Sequence, residues 1–157
     1  MKTRIRRKVR RAFTLLEVLL VAGILALLAA FAVPALMNQA MKAKVKIAMA
    51  GVGRNGPIAK ALDGYRFDVG SFPETSDGLA ALFKAPSGLN SDEDGTWEGP
   101  YMAGTPDELR DPWAHEFEYK SPGDVNEDGY DLWSRGVDGK DDGGKEGSDD
   151  VKNWKNK

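Results

Sequence analysis

A run of 20 residues without a charged side chain limits what this chain can fold into more than any other feature. Residues 18–37 read VLLVAGILALLAAFAVPALM. A helix of that length rises about 30 Å, which is the thickness of the hydrocarbon core of a bilayer. In a chain of 157 residues the remaining part is too small to bury every face of such a helix. The run therefore predicts a transmembrane helix, which Pro34 is expected to bend or locally unwind.

The charge of the chain is distributed unevenly around this helix. Residues 1–12 carry seven lysines and arginines and no acid, so residues 13–157 have a net charge of −9. Cations that flank a membrane helix stay on the cytoplasmic side, which predicts a cytoplasmic N-terminus and a translocated body. The acidic body argues against nucleic acid as a partner. A removable secretory signal is the alternative, because residues 29–32 (AAFA) imitate a small-residue cleavage site.

Beyond the apolar run, the helix is expected to continue to residue 67 with a break near residues 51–57. Glycines crowd into this segment, and Pro57 suits the first turn of a new helix, with Asn55 or Gly56 as its cap. The second helix would run to about Phe67. Its predicted apolar face has helical spacing and consists of Ile58, Ala61, Leu62 and Tyr65.

The body, residues 68–157, is predicted to contain a small antiparallel sheet. Residues 116–120 and 130–134 alternate between apolar and polar side chains, and residues 122–129 read as the connection between two strands. The helix after Pro57 is the candidate to cover one face of this sheet. The chain has no cysteine, so no disulfide stabilises it. The predicted fold class is α+β, with a long N-terminal helix packed on a small antiparallel sheet.

The junction between the basic segment and the apolar run carries a resemblance. The segment AFTLLE at residues 12–17 resembles the processing site of type IV pilins and pseudopilins. In that superfamily a prepilin peptidase cuts before the phenylalanine and methylates the new N-terminus. The resemblance implies a leader peptide at residues 1–12, cleavage between Ala12 and Phe13, and an N-methylated Phe13. The family usually has glycine where this chain has Ala12.

Glu17 is unusual because it lies one turn into a membrane helix. An isolated acid at the centre of such a helix costs about 2.5–3.5 kcal/mol on insertion scales, so a buried carboxylate should find a cationic partner. The resemblance implies that this partner is the amino group of Phe13, in the same subunit or a neighbouring one. Residues 13–37 would then form the polymerisation helix. The alternative is an acid that reaches the membrane interface from a position close to the helix start.

The body narrows the resemblance to the major pseudopilins of the type II secretion system. The matching segments are residues 61–73 (ALDGYRFDVGSFP), 111–113 (DPW), 130–139 (YDLWSRGVDG) and 149–154 (DDVKNW). The resemblance implies a pilin-like fold, no enzymatic activity, and a homopolymeric pseudopilus that drives protein export across the outer membrane. It also implies a single-pass protein of the inner membrane with a periplasmic domain. The implied partners are the prepilin peptidase, minor pseudopilins, the inner-membrane assembly platform and the secretin.

Two other functions stay open at the level of the sequence. A type IV pilus or DNA-uptake pilin shares the N-terminal segment, although such pilins often close their domain with a disulfide that this chain cannot form. A solitary membrane-anchored calcium-binding domain would share the anchor and the acidic body without polymerising.

Residues 121–150 contain ten acids against three lysines and arginines. Such a segment repels itself unless a cation gathers it, and calcium accepts carboxylate and carbonyl oxygens in flexible geometry. A solvated acidic loop without metal is the alternative. The resemblance implies bound calcium, with carboxylates and backbone carbonyls from Asp138, Asp149, Asp150, Arg135 and Val137. Residues 140–148 are longer than expected for the family, so Asp141 or Asp142 can substitute for one of these ligands.

Two further patterns in the sequence do not predict a metal site. Residues 124–129 (DVNEDG) match the first half of an EF-hand loop, but the twelfth position is Arg135 where a bidentate glutamate is required. A polar hairpin turn explains this segment better. The single histidine, His115, has no cysteine or second histidine with which to share a transition metal.

Overall fold

The computed structural model describes residues 13–89 and 97–155. The chain divides into two compact units, Met1–Ala40 and Met41–Lys157. The order of its elements is α1 (Leu15–Val52), α2 (Pro57–Val69), a 3₁₀ helix (Gly78–Leu82), a second 3₁₀ helix (Pro106–Glu108), β1 (Phe117–Lys120), β2 (Asp131–Ser134) and β3 (Val151–Lys152).

The described part of the first unit is the apolar portion of α1. Every residue from 13 to 40 is exposed. An 18-residue window of this helix has a mean hydropathy of 2.7, and α1 is long and apolar enough to cross a membrane by length and composition. The helix continues through Pro34, so the local unwinding that this proline allows does not occur.

In the second unit, α1 ends at Val52 and α2 begins at Pro57. Gly56 is the N-cap of α2, and its extended backbone leads directly into the proline. A Cβ atom at Gly56 would lie 2.3 Å from the carbonyl oxygen of Ala50, so only glycine fits this close approach. At the other end of α2, Gly70 adopts a left-handed conformation (φ +88°), and its N–H donates to the carbonyl of Arg66.

The core of the second unit forms around α2. The predicted apolar face is confirmed, since Ile58, Ala61, Leu62 and Tyr65 are all buried. They pack with the other buried apolar residues, which are Ala48, Val52, Ala81, Leu82, Trp97, Leu132 and Val151. The last turns of α1, α2, the first 3₁₀ helix and the sheet therefore share one hydrophobic core.

The sheet has three antiparallel strands in the order β1–β2–β3. The two predicted strands are present, each starting one residue later than expected. Glu116 is separate from β1 and forms an isolated bridge with Arg110. β3 was not predicted, because a two-residue strand is too short to show an alternating pattern. The α+β fold with a long apolar helix and a small antiparallel sheet is confirmed.

Candidate assembly and metal sites

The start of α1 holds the residues that the sequence associates with processing and assembly. Thr14 precedes the helix, and its Oγ1 accepts a hydrogen bond from the backbone N–H of Glu17 at 3.2 Å. This contact satisfies one of the N–H groups that have no partner in the first turn of a helix. Glu17 also lies where the helix dipole favours a negative charge. Phe13 is 78% exposed, and Ala12 lies outside the described residues.

The role of Thr14 as an N-cap was missed in the sequence, although the signal is present. Thr14 and Glu17 have the Thr-x-x-Glu spacing of a capping box ahead of an apolar run. The cap fixes the helix start two residues after Phe13 and places Glu17 as the third helical residue.

A second site lies in the acidic segment between β2 and β3. Asp138, Asp142 and Asp149 each offer one carboxylate oxygen, and these oxygens all lie within 4.8 Å of one another. Oxygens that bind one calcium ion at about 2.3–2.6 Å lie at most about 5 Å apart. The three carboxylates are therefore close enough to share one cation. Two of them were predicted as ligands, and Asp142 was one of the two possible substitutes.

Asp149 shapes the loop as well as contributing to this cluster. Its Oδ2 accepts hydrogen bonds from the backbone N–H groups of Val137 (2.5 Å) and Asp138 (2.9 Å). The turn that brings residues 137–138 back onto Asp149 passes through Gly136, whose φ is +63°. A Cβ atom there would lie 2.3 Å from the backbone oxygen of Asp149. A glycine is thus required for this part of the loop to close.

Asp150 does not join the three clustered carboxylates. Its Oδ2 accepts hydrogen bonds from the backbone N–H groups of Asp142 (3.2 Å) and Gly144 (2.8 Å). Its Oδ1 is buried and has no hydrogen-bond partner within the described residues. Burial raises the pKa of the Asp150 carboxyl above its usual value. Asp141 is directed elsewhere, since its Oδ1 accepts from Trp133 Nε1 at 2.9 Å.

Asp138 lies at the exposed side of the cluster. The backbone N–H of Lys140 donates to its Oδ1 at 2.9 Å, and Lys140 Nζ lies 3.3 Å from its Oδ2. The hydrogen bond from this backbone N–H lowers the pKa of the Asp138 carboxyl, so the group stays ionised. The side chain of Arg135 pairs with Glu118 on β1. This pairing positions the start of the loop in which the backbones of Arg135 and Val137 lie.

The donor set fits calcium. It consists of oxygen atoms alone, three of them from clustered carboxylates, and a buried carboxylate oxygen of Asp150 lies unpaired in the same loop. Hard cations such as calcium prefer such ligands, whereas zinc and copper prefer nitrogen and sulfur.

A buried polar network supports the base of this loop. Asp111 is 5% exposed, and its Oδ1 accepts hydrogen bonds from the backbone N–H groups of Trp113 and His115. Ser134 Oγ donates to Asp111 Oδ2 at 2.5 Å and accepts from the N–H of Gly136 at 3.2 Å. The fully buried hydroxyl thus joins the Asp-Pro-Trp turn to the loop. It does not face a substrate, so the Ser, His and Asp here are structural.

The EF-hand-like segment is a turn held by an acid from β2. Both carboxylate oxygens of Asp131 accept backbone N–H groups, from Asp124, Val125 and Asn126, at 2.7–3.0 Å. The carboxylate of Asp124 pairs with Lys120 Nζ at 2.6 Å. These contacts support a polar hairpin turn in residues 124–129.

Comparison with known proteins identifies the family of the chain. The family described as "Type II secretion system (T2SS), protein G" matches residues 35–154. The chain belongs to this family. A second family, the "Prokaryotic N-terminal methylation motif", matches residues 7–33, which include the AFTLLE segment. The two matches together cover residues 7–33 and 35–154.

Curated relatives extend the similarity over nearly the whole chain. The type II secretion system core protein G of Pseudomonas aeruginosa is 37% identical over 150 residues, which is 96% of this chain and 99% of that protein. The corresponding protein of Vibrio cholerae is also 37% identical and covers 90% of each chain. Among solved structures, the major pseudopilin from the type 2 secretion system of enterohaemorrhagic Escherichia coli matches with a TM-score of 0.58 and 29% identity. The match covers 76% of this chain and 89% of that one.

This member of the protein G family is therefore a major pseudopilin, a structural subunit of the type II secretion system and not an enzyme. As such it belongs to a pseudopilus assembly with other components of the system. Its apolar N-terminal helix and its family indicate that it is anchored in a membrane. The predictions of family, function and fold class are confirmed.

Proposed function

We propose that a prepilin peptidase cuts this pseudopilin between Ala12 and Phe13 and methylates the amino group of Phe13, and that the mature chain polymerises through residues 13–37. The observation that carries the proposal is the full exposure of the apolar part of α1. A helix of this composition needs lipid or other apolar helices around it. Lipid surrounds it before assembly, and the helices of neighbouring copies surround it in the filament.

Glu17 fixes how the α1 helices of neighbouring copies are aligned along the filament. It is the one acid among the exposed apolar residues at the start of α1. Cleavage creates a positive amino group at Phe13, close to the level at which α1 begins. A carboxylate that leaves water for a packed bundle is stabilised by such a cation, either its own or that of the next copy. Pairing between copies repeats along the filament, because a head-to-tail contact does not close on itself.

The location and the partners follow from this arrangement. The seven cations of residues 1–12 keep the N-terminus in the cytoplasm and orient the body toward the periplasm, so that the subunit spans the inner membrane once. The filament grows from there with minor pseudopilins and the assembly platform toward the secretin. Its extension pushes secreted proteins across the outer membrane.

In this proposal a calcium ion stabilises the acidic loop of the body. Asp138 and Asp149 would hold the ion together with a third carboxylate of the loop and backbone oxygens of the Arg135–Val137 turn. The ion offsets two of the seven excess negative charges of residues 121–150. It fixes a loop that lies at the surface, where a neighbouring subunit meets it.

Substitution of Glu17 by alanine tests the proposal in cells that secrete. We expect Glu17→Ala to reach normal levels in the membrane but to abolish filaments and export. Asp107→Ala, which removes an exposed acid of the body, is the matched control and should secrete normally. Intact filaments and export from the Glu17→Ala variant would exclude the proposal in favour of a domain that does not polymerise.

A further inference from the structure

We propose that the C-terminal end of α2 docks onto a neighbouring copy of this chain, with the ring of Phe67 inserted into an acidic groove and Arg66 facing the acids. The acidic groove lies between the two 3₁₀ helices and β1, and its acids are Asp77, Asp107, Glu116 and Glu118. The inference rests on the polymerisation proposed above. It names the surfaces through which the bodies of successive copies meet.

Phe67 is the most exposed large hydrophobic side chain among the described residues, at 90%. Within residues 41–89 and 97–155 it is also the one exposed aromatic side chain. It follows the buried Tyr65 by two residues, which places it about 200° around the helix and away from the core. Contact with another copy would remove this ring from water.

Arg66 places a positive charge beside this ring. Its side chain is exposed, and its guanidinium stacks on Phe72 at 4.9 Å from the ring centroid. In the described part of the chain no carboxylate forms an ion pair with it. Residues 41–67 carry six lysines and arginines against one acid, whereas residues 68–157 carry nine against 22 acids. The helical segment of one copy is therefore attracted to the body of another.

The acidic groove combines an apolar floor with a negatively charged rim. Its volume is about 320 Å³. The floor consists of half-buried apolar side chains that pack against the core, namely Leu79, Phe83, Leu109, Phe117 and Tyr119. Because these side chains keep part of their surface open to water, an inserted phenylalanine ring buries apolar area on both partners.

The rim of the groove is only partly neutralised within one copy. Two of its four acids pair with arginines, as Glu116 does with Arg110 at 3.2 Å. Asp77 and Asp107 have no ion-pair partner within residues 13–89 and 97–155. Arg66 of another copy supplies a cation for this side of the groove. A single rim charge contributes little, and Asp77 remains when Asp107 is replaced, so Asp107→Ala is still expected to export normally.

Phe67 does not reach the groove of its own copy. The buried face of α2 shares the core with Ala81 and Leu82 of the first 3₁₀ helix, which forms one wall of the groove. Phe67 points away from that face of α2. The contact therefore joins two different surfaces of the body, and such a heterologous contact repeats along a filament without closing.

Cross-linking of the full chain in cells that secrete tests this contact. The chain has no cysteine, so two introduced thiols report on one pair of surfaces. Ser71→Cys lies four residues after Phe67, and Ala80→Cys lies at the edge of the groove, both at exposed positions. Because each copy contacts two others, a short bismaleimide reagent should give a ladder of multimers. Each single substitution should give no species larger than a dimer.

Replacement of Phe67 shows whether the ladder depends on its ring. In the chain with both thiols, Phe67→Ala should weaken the ladder and reduce filaments about tenfold or more, because loss of an aromatic anchor weakens a contact strongly. Phe67→Leu keeps an apolar side chain and should retain most of both. The detergent-solubilised Phe67→Ala subunit should unfold at the same urea concentration as the unsubstituted chain, since the ring is exposed there.

The inference is overturned if filaments form normally without a ladder, or if Phe67→Ala leaves ladder and filaments undiminished. A loss of filaments that is matched by destabilisation of the Phe67→Ala subunit would also count against it. These results would leave polymerisation through Glu17 standing. Failure of the unsubstituted chain to form filaments would instead contradict the proposed function itself.

Discussion

Asp131 binds Asn126 twice, because its Oδ1 accepts from the backbone N–H at 3.0 Å and from the side-chain Nδ2 at 2.9 Å. Its Oδ2 accepts the N–H groups of Asp124 and Val125. The side chain that makes these four contacts belongs to a residue that is only 3% exposed. One buried acid therefore organises the connection between β1 and β2.

Replacement of Asp131 by alanine is expected to destabilise the body by roughly 2–5 kcal/mol. The change leaves several N–H groups without an acceptor, and each buried unsatisfied group costs about 1–3 kcal/mol unless water reaches it. Urea unfolding of the detergent-solubilised chain, followed by tryptophan fluorescence, measures the loss. Asp128→Ala alters an exposed acid of the same turn and should change the free energy of unfolding by less than about 0.5 kcal/mol. Equal stability of the two variants would contradict this role of Asp131.

The two faces of α2 should respond differently to truncation. Leu62 is fully buried in the core, whereas Phe67 is 90% exposed. We expect Leu62→Ala to lower the free energy of unfolding by about 2–5 kcal/mol and Phe67→Ala to lower it by less than about 0.5 kcal/mol. The same urea titration provides both values. A large loss for Phe67→Ala would show that its ring is covered in the free subunit.

The tyrosines of the body predict a loss of stability at alkaline pH. Burial, and then the hydrogen bond of its hydroxyl to Asp68, raise the pKa of Tyr101 from 10.0 to about 12. Burial also raises the pKa of Tyr65, Tyr119 and Tyr130. The folded state therefore keeps these protons at a pH where the unfolded state releases them.

The stabilisation that the protonated tyrosines give to the folded state is complete below pH 10. It is lost as the pH rises toward 12. Melting temperatures should accordingly fall across this interval. The decline should be shallower for Tyr101→Phe, which has no proton to lose at this position. A decline of the same steepness in both proteins would show that Tyr101 does not contribute.

Removal of calcium should lower the melting temperature of the subunit. A ligand present at about 100 times its dissociation constant stabilises the folded state by about 2.7 kcal/mol. We expect a chelator to remove this stabilisation and excess calcium to restore it, whereas magnesium at the same concentration should restore little. Thermal unfolding that is identical with and without chelator would count against the metal site.

The helices were predictable because their signals are local. Pro57 after a cluster of glycines marks the start of α2, and the spacing from Ile58 to Tyr65 gives its buried face. β3 was not predictable in this way. Its two residues form a strand only because Val151 and Lys152 pair with β2, a contact that no local pattern encodes.

The carboxylate cluster near β3 could likewise be predicted only in part from the sequence. Composition indicated an acidic segment, and the resemblance suggested which acids act as ligands, but neither gave the directions of the side chains. Asp149 and Asp150 are neighbours in the sequence, yet the first joins the carboxylate cluster and the second holds the backbone of Asp142 and Gly144. This difference depends on the path of residues 140–148, which the three-dimensional structure alone supplies.

The intact mass of the protein extracted from the membrane of its own cells tests the central claim most directly. The account predicts a chain that begins at Phe13 and carries one additional methyl group, with Ala12 and the preceding residues absent. A functional protein that retains residues 1–12, or one cleaved after residue 32 as a secretory signal would be, would contradict it.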